Sequence, residues 1–495
     1  MTNIASIQCT VSAITPAKRL ILPVRIGLLS LAALLLNGAA SCVRHEPAEP
    51  AAAIQLPSRF SESGVQSLPD RWWTAFNDPA LDQLINDALA GNFSLKAAAD
   101  RLTQARALAV KSGAALLPVV NATANIEGQA YERSTVMTDS ATLAFGLAAS
   151  YELDIWGKAS ATRDAAILDA AASELDLRTA AISLSAEVAN AWLRIINQRR
   201  LIAQIDKQTD TNRRLLSSIE SRFRQGLANA TDVLQQRQLV ESAAGERALA
   251  VSQLETYEHA LALLTGRPPK TSAPDSPNGL PALPPLPMTG LPARLIRRRP
   301  DVRSAELAVQ SADKRAAAAV SAQFPKISLT LSARTTSDFA ADIFKNWFAN
   351  LVANLTAPIF DGGSIKADID RAVAVRDAAL HQYGQTALTA LKETEDALVR
   401  EKRQSEYLDS LRKQAALAAM TVDRTITAYK NGAATYVACL TAQKSLQQIE
   451  RAVIQAETDM LLYRVALYRA LAGGWTMTGS NETAGADNNA KANPE

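Results

Sequence analysis

The sequence predicts a mainly α protein with a β-barrel part, built from one unit of long coiled-coil helices and β-hairpins used twice. Three observations carry this. The first is a lack of helix breakers. Between Gly157 and Gly226 lie 68 residues with no Gly and no Pro, and between Gly363 and Gly432 lie another 68 with no Pro and only Gly384 inside. Gly and Pro are what a helix interior tolerates least. At about 1.5 Å per residue, each stretch runs roughly 100 Å as one helix. A rod of that length packs along other rods and not around a compact core.

The second observation is a seam. Leu168, Leu175, Ile182, Ala189 and Ile196 recur every seven residues, with Ala172, Thr179, Ala186 and Leu193 four positions after the first four. Leu380, Ala387, Leu391 and Leu398 keep the same spacing in the second stretch. This is coiled-coil patterning, rich in small residues that allow close approach. The third is punctuation. Pro118 recurs as Pro325, Gly157 as Gly363, Gly226 as Gly432 and Gly266 as Gly473, each at an offset of 206 or 207 residues. Four marks at one offset indicate an internal duplication.

The elements follow in order. Residues 1–41 carry Lys18, Arg19 and Arg25, no acid, and a short apolar run from Ile26 to Leu36. They read as a secretory signal peptide, too short in its apolar part to span a membrane. Small residues lead into Cys42, which is expected to carry a covalent lipid; no other cofactor and no metal is expected. The 52 Lys and Arg less the three in the signal leave 49, matching the 49 Asp and Glu. A formally neutral chain gives no reason to expect nucleic-acid binding. With Cys9 in the signal and Cys42 lipidated, Cys439 is alone, so no intrachain disulfide framework is possible.

Residues 42–68 read as a linker behind the anchor, and 69–266 as the first repeat. Its aromatic start, Trp72, Trp73 and Phe76, is expected to pack on the helices. Asp78-Pro79 opens a helix over 80–116. The period then changes to two. Val120, Ala122, Ala124 and Ile126 alternate with Asn121, Thr123, Asn125 and Glu127, and Leu143, Phe145, Leu147, Ala149 and Tyr151 alternate with Thr142, Ala144, Gly146, Ala148 and Ser150, giving a hairpin over about 119–153. A long helix over 158–225 follows, then a turn at Gly226 and a return helix from 230 to 265. Residues 267–293 are a Pro-rich connector; the wider stretch 268–300 holds ten of the 21 prolines. The second repeat, 294–474, has a helix over 301–322, a hairpin over about 326–357, a long helix over 364–431, a turn at Gly432 and a return helix over 435–472. The return helix covers half of each rod, and the helix before each hairpin is expected to cover the rest. Residues 475–495 read as a disordered tail.

Strands with one apolar and one polar face suit a soluble sheet over a core, or a transmembrane barrel with its apolar face outward. The long helices bury their apolar faces on each other, so nothing is left to cover a soluble sheet. Tyr131, Phe339, Phe344, Trp347 and Phe348 lie near the hairpin loops, where an interfacial aromatic girdle belongs. Both points favour the barrel. Four strands cannot close one, and open edges are not tolerated in lipid. The chain is therefore expected to pool strands with copies of itself in a cyclic assembly.

These segments together resemble the TolC-type outer-membrane efflux proteins, in the lipoprotein branch of tripartite RND systems (OprM/NodT-like). The carrying motifs are Arg71-Trp72-Trp73 through Asp78-Pro79, Tyr151-Glu152-Leu153-Asp154-Ile155-Trp156-Gly157, Arg298-Arg299-Pro300-Asp301, Ala357-Pro358-Ile359-Phe360-Asp361-Gly362-Gly363 and Tyr429-Lys430-Asn431-Gly432. The resemblance implies a homotrimer with a 12-stranded barrel in the outer membrane of a Gram-negative bacterium, continuous with a periplasmic helical tunnel. It implies a periplasmic membrane-fusion adaptor and an inner-membrane RND-type pump as partners. The expected function is the passive exit duct of that pump, carrying drugs or other small molecules.

The family closes its tunnel at the periplasmic tip, with Tyr-Arg-x-Gly followed by Leu-Leu-Asp-Ala-Gln-Arg. Here the second segment is Cys439-Leu440-Thr441-Ala442-Gln443-Lys444, so Thr441 replaces the Asp and Lys444 the Arg. The expected constriction is Asp232, Tyr429, Val437, Thr441 and Lys444, and the turns at Gly226 and Gly432 are the expected adaptor-docking points. Two other functions compete with this one. A duct for type I protein secretion shares every feature. A structural periplasmic coiled-coil lipoprotein does not need the four period-two strands. An enzyme is excluded by chemistry: His45, His259 and His381 sit in unrelated contexts, with no zinc spacing, phosphate loop or nucleophile motif.

Overall fold

A computed structural model describes residues 56–133, 136–270, 274, 279–339, 342 and 344–472, without the side chains of 129–140. The signal segment, Cys42, the linker up to residue 55, the Tyr131 side chain, Gly473 and the tail lie outside the described residues. After a short 3-10 helix at Trp72–Phe76, the elements are α1 (Pro79–Gly91), α2 (Phe93–Ala114), β1 (Val119–Arg133), β2 (Val136–Leu153), α3 (Lys158–Arg224) and α4 (Ala230–Leu264). The second repeat supplies α5 (Pro292–Arg298), α6 (Pro300–Ser321), β3 (Lys326–Ser337), β4 (Trp347–Thr356), α7 (Ser364–Lys430) and α8 (Tyr436–Ala470). Both long helices, α3 and α7, run 67 residues without interruption. No described helix is apolar enough over sufficient length to cross a membrane.

The chain forms two compact units. One comprises residues 102–172 and 305–383; the other comprises 56–101, 173–304 and 384–472. The first holds a four-stranded antiparallel sheet in the order β1-β2-β3-β4. The two hairpins are thus joined through β2 and β3, from Leu143↔Ser337 to Leu153↔Ile327. The register stacks like on like. Val120, Ala149, Leu331 and Leu351 form one row across the sheet, and Ala122, Leu147, Ala333 and Ala349 the next. Strands β1 and β2 run 15 and 18 residues, past the alternating positions 120–126 and 143–151. The side-chain alternation fades after Glu127, but no Gly or Pro interrupts the backbone ladder between Gln129 and Arg133.

Each hairpin hands over to its long helix through an Asp. Asp154 accepts the backbone N–H groups of Ala159 and Ser160, both at 2.8 Å, and the Ser160 hydroxyl at 2.5 Å. Burial alone would push its carboxyl up; the bonds from Ser160, Ala159 and Lys158 outweigh this and hold it below the usual range. Asp361, at the equivalent place in the second repeat, accepts from Ile365 at 2.7 Å and Gly363 at 3.0 Å, which holds its carboxyl low. Orphan amides at a helix start explain why an acid stands there in both copies. Trp156 stacks on Phe324 with centroids 4.7 Å apart and donates to the Pro325 carbonyl at 2.7 Å.

In the second unit the aromatic start of the repeat is core, as expected. Trp72, Trp73, Phe76, Trp192 and Tyr468 are all buried. Trp72 donates to Ser185 Oγ at 3.2 Å, and Trp192 to Asp78 Oδ2 at 2.7 Å. The other oxygen of Asp78 caps α1 through Ala80 at 3.0 Å. Seam residues Leu175, Ile182, Ala189, Ile196, Ala387, Leu391 and Leu398 are buried too.

Three expectations change. The single helix over 80–116 is two, because Asn92 adopts an extended backbone and caps α2 through Leu95 at 2.9 Å, while its amide donates to Leu264 O at 2.9 Å. Residues 60–66, read as linker, are tied down. Phe60 is buried, Lys402 pairs with Glu62 at 2.6 Å, and the segment pairs with the connector through Gly64→Pro287 at 3.0 Å and Met288→Gln66 at 2.7 Å. Helix α6 lies against the other repeat's rod as well as its own. Ser311 donates to Asp169 on α3 at 2.6 Å, and Arg376 on α7 faces Asp313 at 3.9 Å.

Candidate functional site

The ends of the four long and returning helices meet in one small core. Ile219 of α3, Val233 and Leu239 of α4, and Tyr436, Cys439 and Leu440 of α8 are buried together, with Ile426 and Tyr429 of α7 packed against them. Both turns close the same way. Leu227 N–H reaches Arg222 O at 2.8 Å and Gly226 N–H reaches Phe223 O at 2.9 Å; in the second repeat Ala433 reaches Ala428 O at 2.8 Å and Gly432 reaches Tyr429 O at 3.1 Å. This is the Schellman arrangement, which requires a left-handed residue after the helix. Gly226 and Gly432 supply it at φ of 70° and 78°.

The five residues expected to form the constriction fall into two groups. Tyr429 packs against the tip core, and Asp232 stands in the first turn of α4. The Tyr429 ring lies 5.7 Å from that of Tyr436, with the Arg222 guanidinium 5.1 Å over it. Burial pushes the Tyr429 phenol up, Asp232 adds to this, and Arg222 opposes it. Val437, Thr441 and Lys444 instead form an exposed stripe along α8 at i, i+4 and i+7. Thr441 donates to its own helix at Val437 O, 2.9 Å away. No ion pair joins Asp232 to Lys444 among the described residues. The Asp232 carboxylate turns back to its own helix start and accepts the Asn229 N–H at 3.3 Å in a capping box.

Beside this core lies a buried amide layer that the sequence reading missed. Asn212 is fully buried. Its Oδ1 accepts from Gln443 at 2.6 Å and Gln447 at 2.8 Å, and its backbone carbonyl accepts from Gln236 at 2.8 Å. The Tyr436 hydroxyl donates to Gln236 Oε1. Helices α3, α4 and α8, from both repeats, are thereby joined near the tip. A signal was present: Gln443 and Gln447 are one turn apart, on the face of α8 that also buries Tyr436 and Leu440. Cys439 is packed, as expected. It is 2% exposed, its Sγ donates to Thr425 O at 3.1 Å, and burial pushes its thiol up. Among the described residues no cluster of His, Cys, Asp and Glu is arranged to hold a metal.

The sheet provides the other functional surface. Its apolar rows share one face, and Asn121, Thr123, Asn125, Gly146, Ala148, Ser332, Arg334 and Asn350 share the other. Phe344 stacks on Trp347 at 6.3 Å and meets Phe145 edge-on at 6.4 Å near the loop end. Phe348 departs from the expected girdle, because its partner across the ladder is Arg334 and it shares the polar face.

Comparison with known proteins agrees with this geometry. The model of the outer membrane efflux protein family matches residues 84–267 and 291–473. The pyoverdine export outer membrane protein OpmQ of Pseudomonas aeruginosa is 33% identical over 461 residues, covering 90% of this chain and 96% of its own. The outer membrane protein OprJ of the same species is 32% identical, covering 90% and 95%. The open state of the MtrE outer membrane channel of Neisseria gonorrhoeae superposes with a TM-score of 0.76 at 27% identity, covering 88% and 98%. The chain belongs to the outer membrane efflux protein family, whose members are channels and not enzymes.

Proposed function

We propose that three copies of the chain close their sheets into one 12-stranded barrel and form the exit duct of a tripartite efflux pump. The carrying observation is the sheet: four strands, one continuous apolar face, and unpaired outer edges on β1 and β4. Such edges require partners in lipid, and identical copies supply them at no extra design. The duct passes small molecules outward from an inner-membrane RND-type pump through a periplasmic membrane-fusion adaptor. A lipid on Cys42 tethers the assembly to the outer membrane. Replacing Cys42 with Ser is expected to abolish labelling by a palmitate analogue; undiminished labelling rules that residue out.

The adaptor docks at the turns around Gly226 and Gly432. A Cβ at Gly432 meets nothing within 4 Å, so substitution there acts on the backbone alone. A β-branched residue resists φ of 78° by about 1 kcal/mol or more. Gly432→Val is therefore expected to lose export in a cell carrying the cognate pump, while assembly and membrane insertion survive. Export at the parent rate in that variant would refute docking at this turn.

A further inference from the structure

The polar face of the sheet carries a single charge along most of its length. Rows across the ladder run Glu127–Thr142, then Asn125–Ala144–Thr336, then Thr123–Gly146–Arg334–Phe348, then Asn121–Ala148–Ser332–Asn350, then Val119–Ser150–Thr330–Val352, then Glu152–Ser328–Asn354. Between the rows of Glu127 and Glu152, Arg334 is the one ionisable side chain. It is exposed, and among the described residues no carboxylate lies within ion-pair distance of it. The Glu127 row is four residues along the strand, roughly 13 Å away at 3.3 Å per residue, and the Glu152 row is six residues away, roughly 20 Å. Both exceed the Debye length of about 8 Å at physiological salt. Glu152 also has Lys326 diagonal to it, two residues from its partner Ser328. Asp338, met by the Thr142 hydroxyl at 3.3 Å in the Glu127 row, is likewise four residues from Arg334, and none of these three acids neutralises it.

Its neighbours leave it accessible. On one side stands Gly146, with no side chain; a Cβ there would meet Thr123 Oγ1 at 3.2 Å and Arg334 Cβ at 3.7 Å. On the other side stands Phe348, which is 67% exposed and is the sole aromatic on this face in these rows. A guanidinium offers paired donors that fit a carboxylate, and an adjacent ring offers a flat apolar surface.

We propose that Arg334 and Phe348 form an anion-binding site on the lumen wall, favouring solutes that carry carboxylates on an aromatic ring. The proposal rests on the three-copy barrel, in which the polar face lines the lumen and each site occurs three times. A 12-stranded lumen is wider than side chains fill. The three sites therefore raise the local concentration of anions and do not plug the duct.

The test uses the full chain in planar bilayers, with benzene-1,3,5-tricarboxylate added on the barrel side at moderate salt. The expected result is a concentration-dependent reduction or flicker of single-channel current. The concentration needed should rise at least tenfold in Arg334→Ser, rise severalfold in Phe348→Ala, and be higher for citrate, which has no ring. Equal sensitivity of the parent and Arg334→Ser overturns the site. Equal potency of citrate and the aromatic probe, unchanged by Phe348→Ala, overturns the aromatic part. If the parent forms no channel, the barrel reading itself fails and the site falls with it; channels insensitive to the probe refute the site alone.

Discussion

Asn212→Ala is expected to loosen the resting tip. Its side chain is the shared acceptor for Gln443 and Gln447, at 2.6 Å and 2.8 Å, in a layer closed to water. Removing it orphans two buried amide donors, each worth about 1–3 kcal/mol of lost satisfaction. The backbone bond from Gln236 remains, so α4 keeps that hold on α3, while α8 loses two of its bonds to α3 and keeps those from Gln208 to Gln447 O at 3.1 Å and to Glu450 at 2.9 Å. The expected phenotype is larger single-channel conductance at rest and severalfold greater sensitivity of cells to large antibiotics that the closed channel excludes. Asn212→Asp keeps an acceptor for both amides and is expected to leak less than the Ala variant. Parent-like conductance and sensitivity in Asn212→Ala would mean that the amide layer does not hold the tip.

Glu401→Ala is expected to cause the largest loss of stability. Arg464 and Glu401 form a two-pronged pair at 2.5 Å and 2.9 Å, with side chains only 3% and 12% exposed. Arg464 also donates to the Pro284 carbonyl, tying the connector to α8. Removing the carboxylate strands a buried guanidinium, which costs about 3–5 kcal/mol. A well-packed apolar pair removes both charges together, so Glu401→Leu with Arg464→Met is expected to recover most of the loss. Thermal unfolding of the two variants checks this. A Glu401→Ala protein as stable as its parent would show that the pair holds nothing.

Much of this was legible in the residues. Two breaker-free stretches, one offset and a change of period gave the rods, the duplication and the hairpins to within a few residues. Those features are local, and local periodicity is what a sequence displays. Partnership across the repeats was not legible. Nothing in the spacing of Asp169 or Ser311 says that α6 crosses to the first repeat's rod. The joining of β2 to β3 also depends on two segments far apart in the chain. At the tip, the resemblance points to Asp232 and Tyr429 as constriction residues; the structure shows Asp232 in a capping box and Tyr429 packed against Tyr436. Asn212 and Gln236 were missed because a buried amide looks like a solvated one until its partners are known. Val437, Thr441 and Lys444, expected at the same constriction, stand on an exposed stripe of α8.

The native mass of the detergent-solubilised, channel-active protein tests the three-copy barrel most directly. Three chains per particle are predicted, because four strands from each are needed to remove every open edge. A single chain that inserts into bilayers and conducts would contradict it.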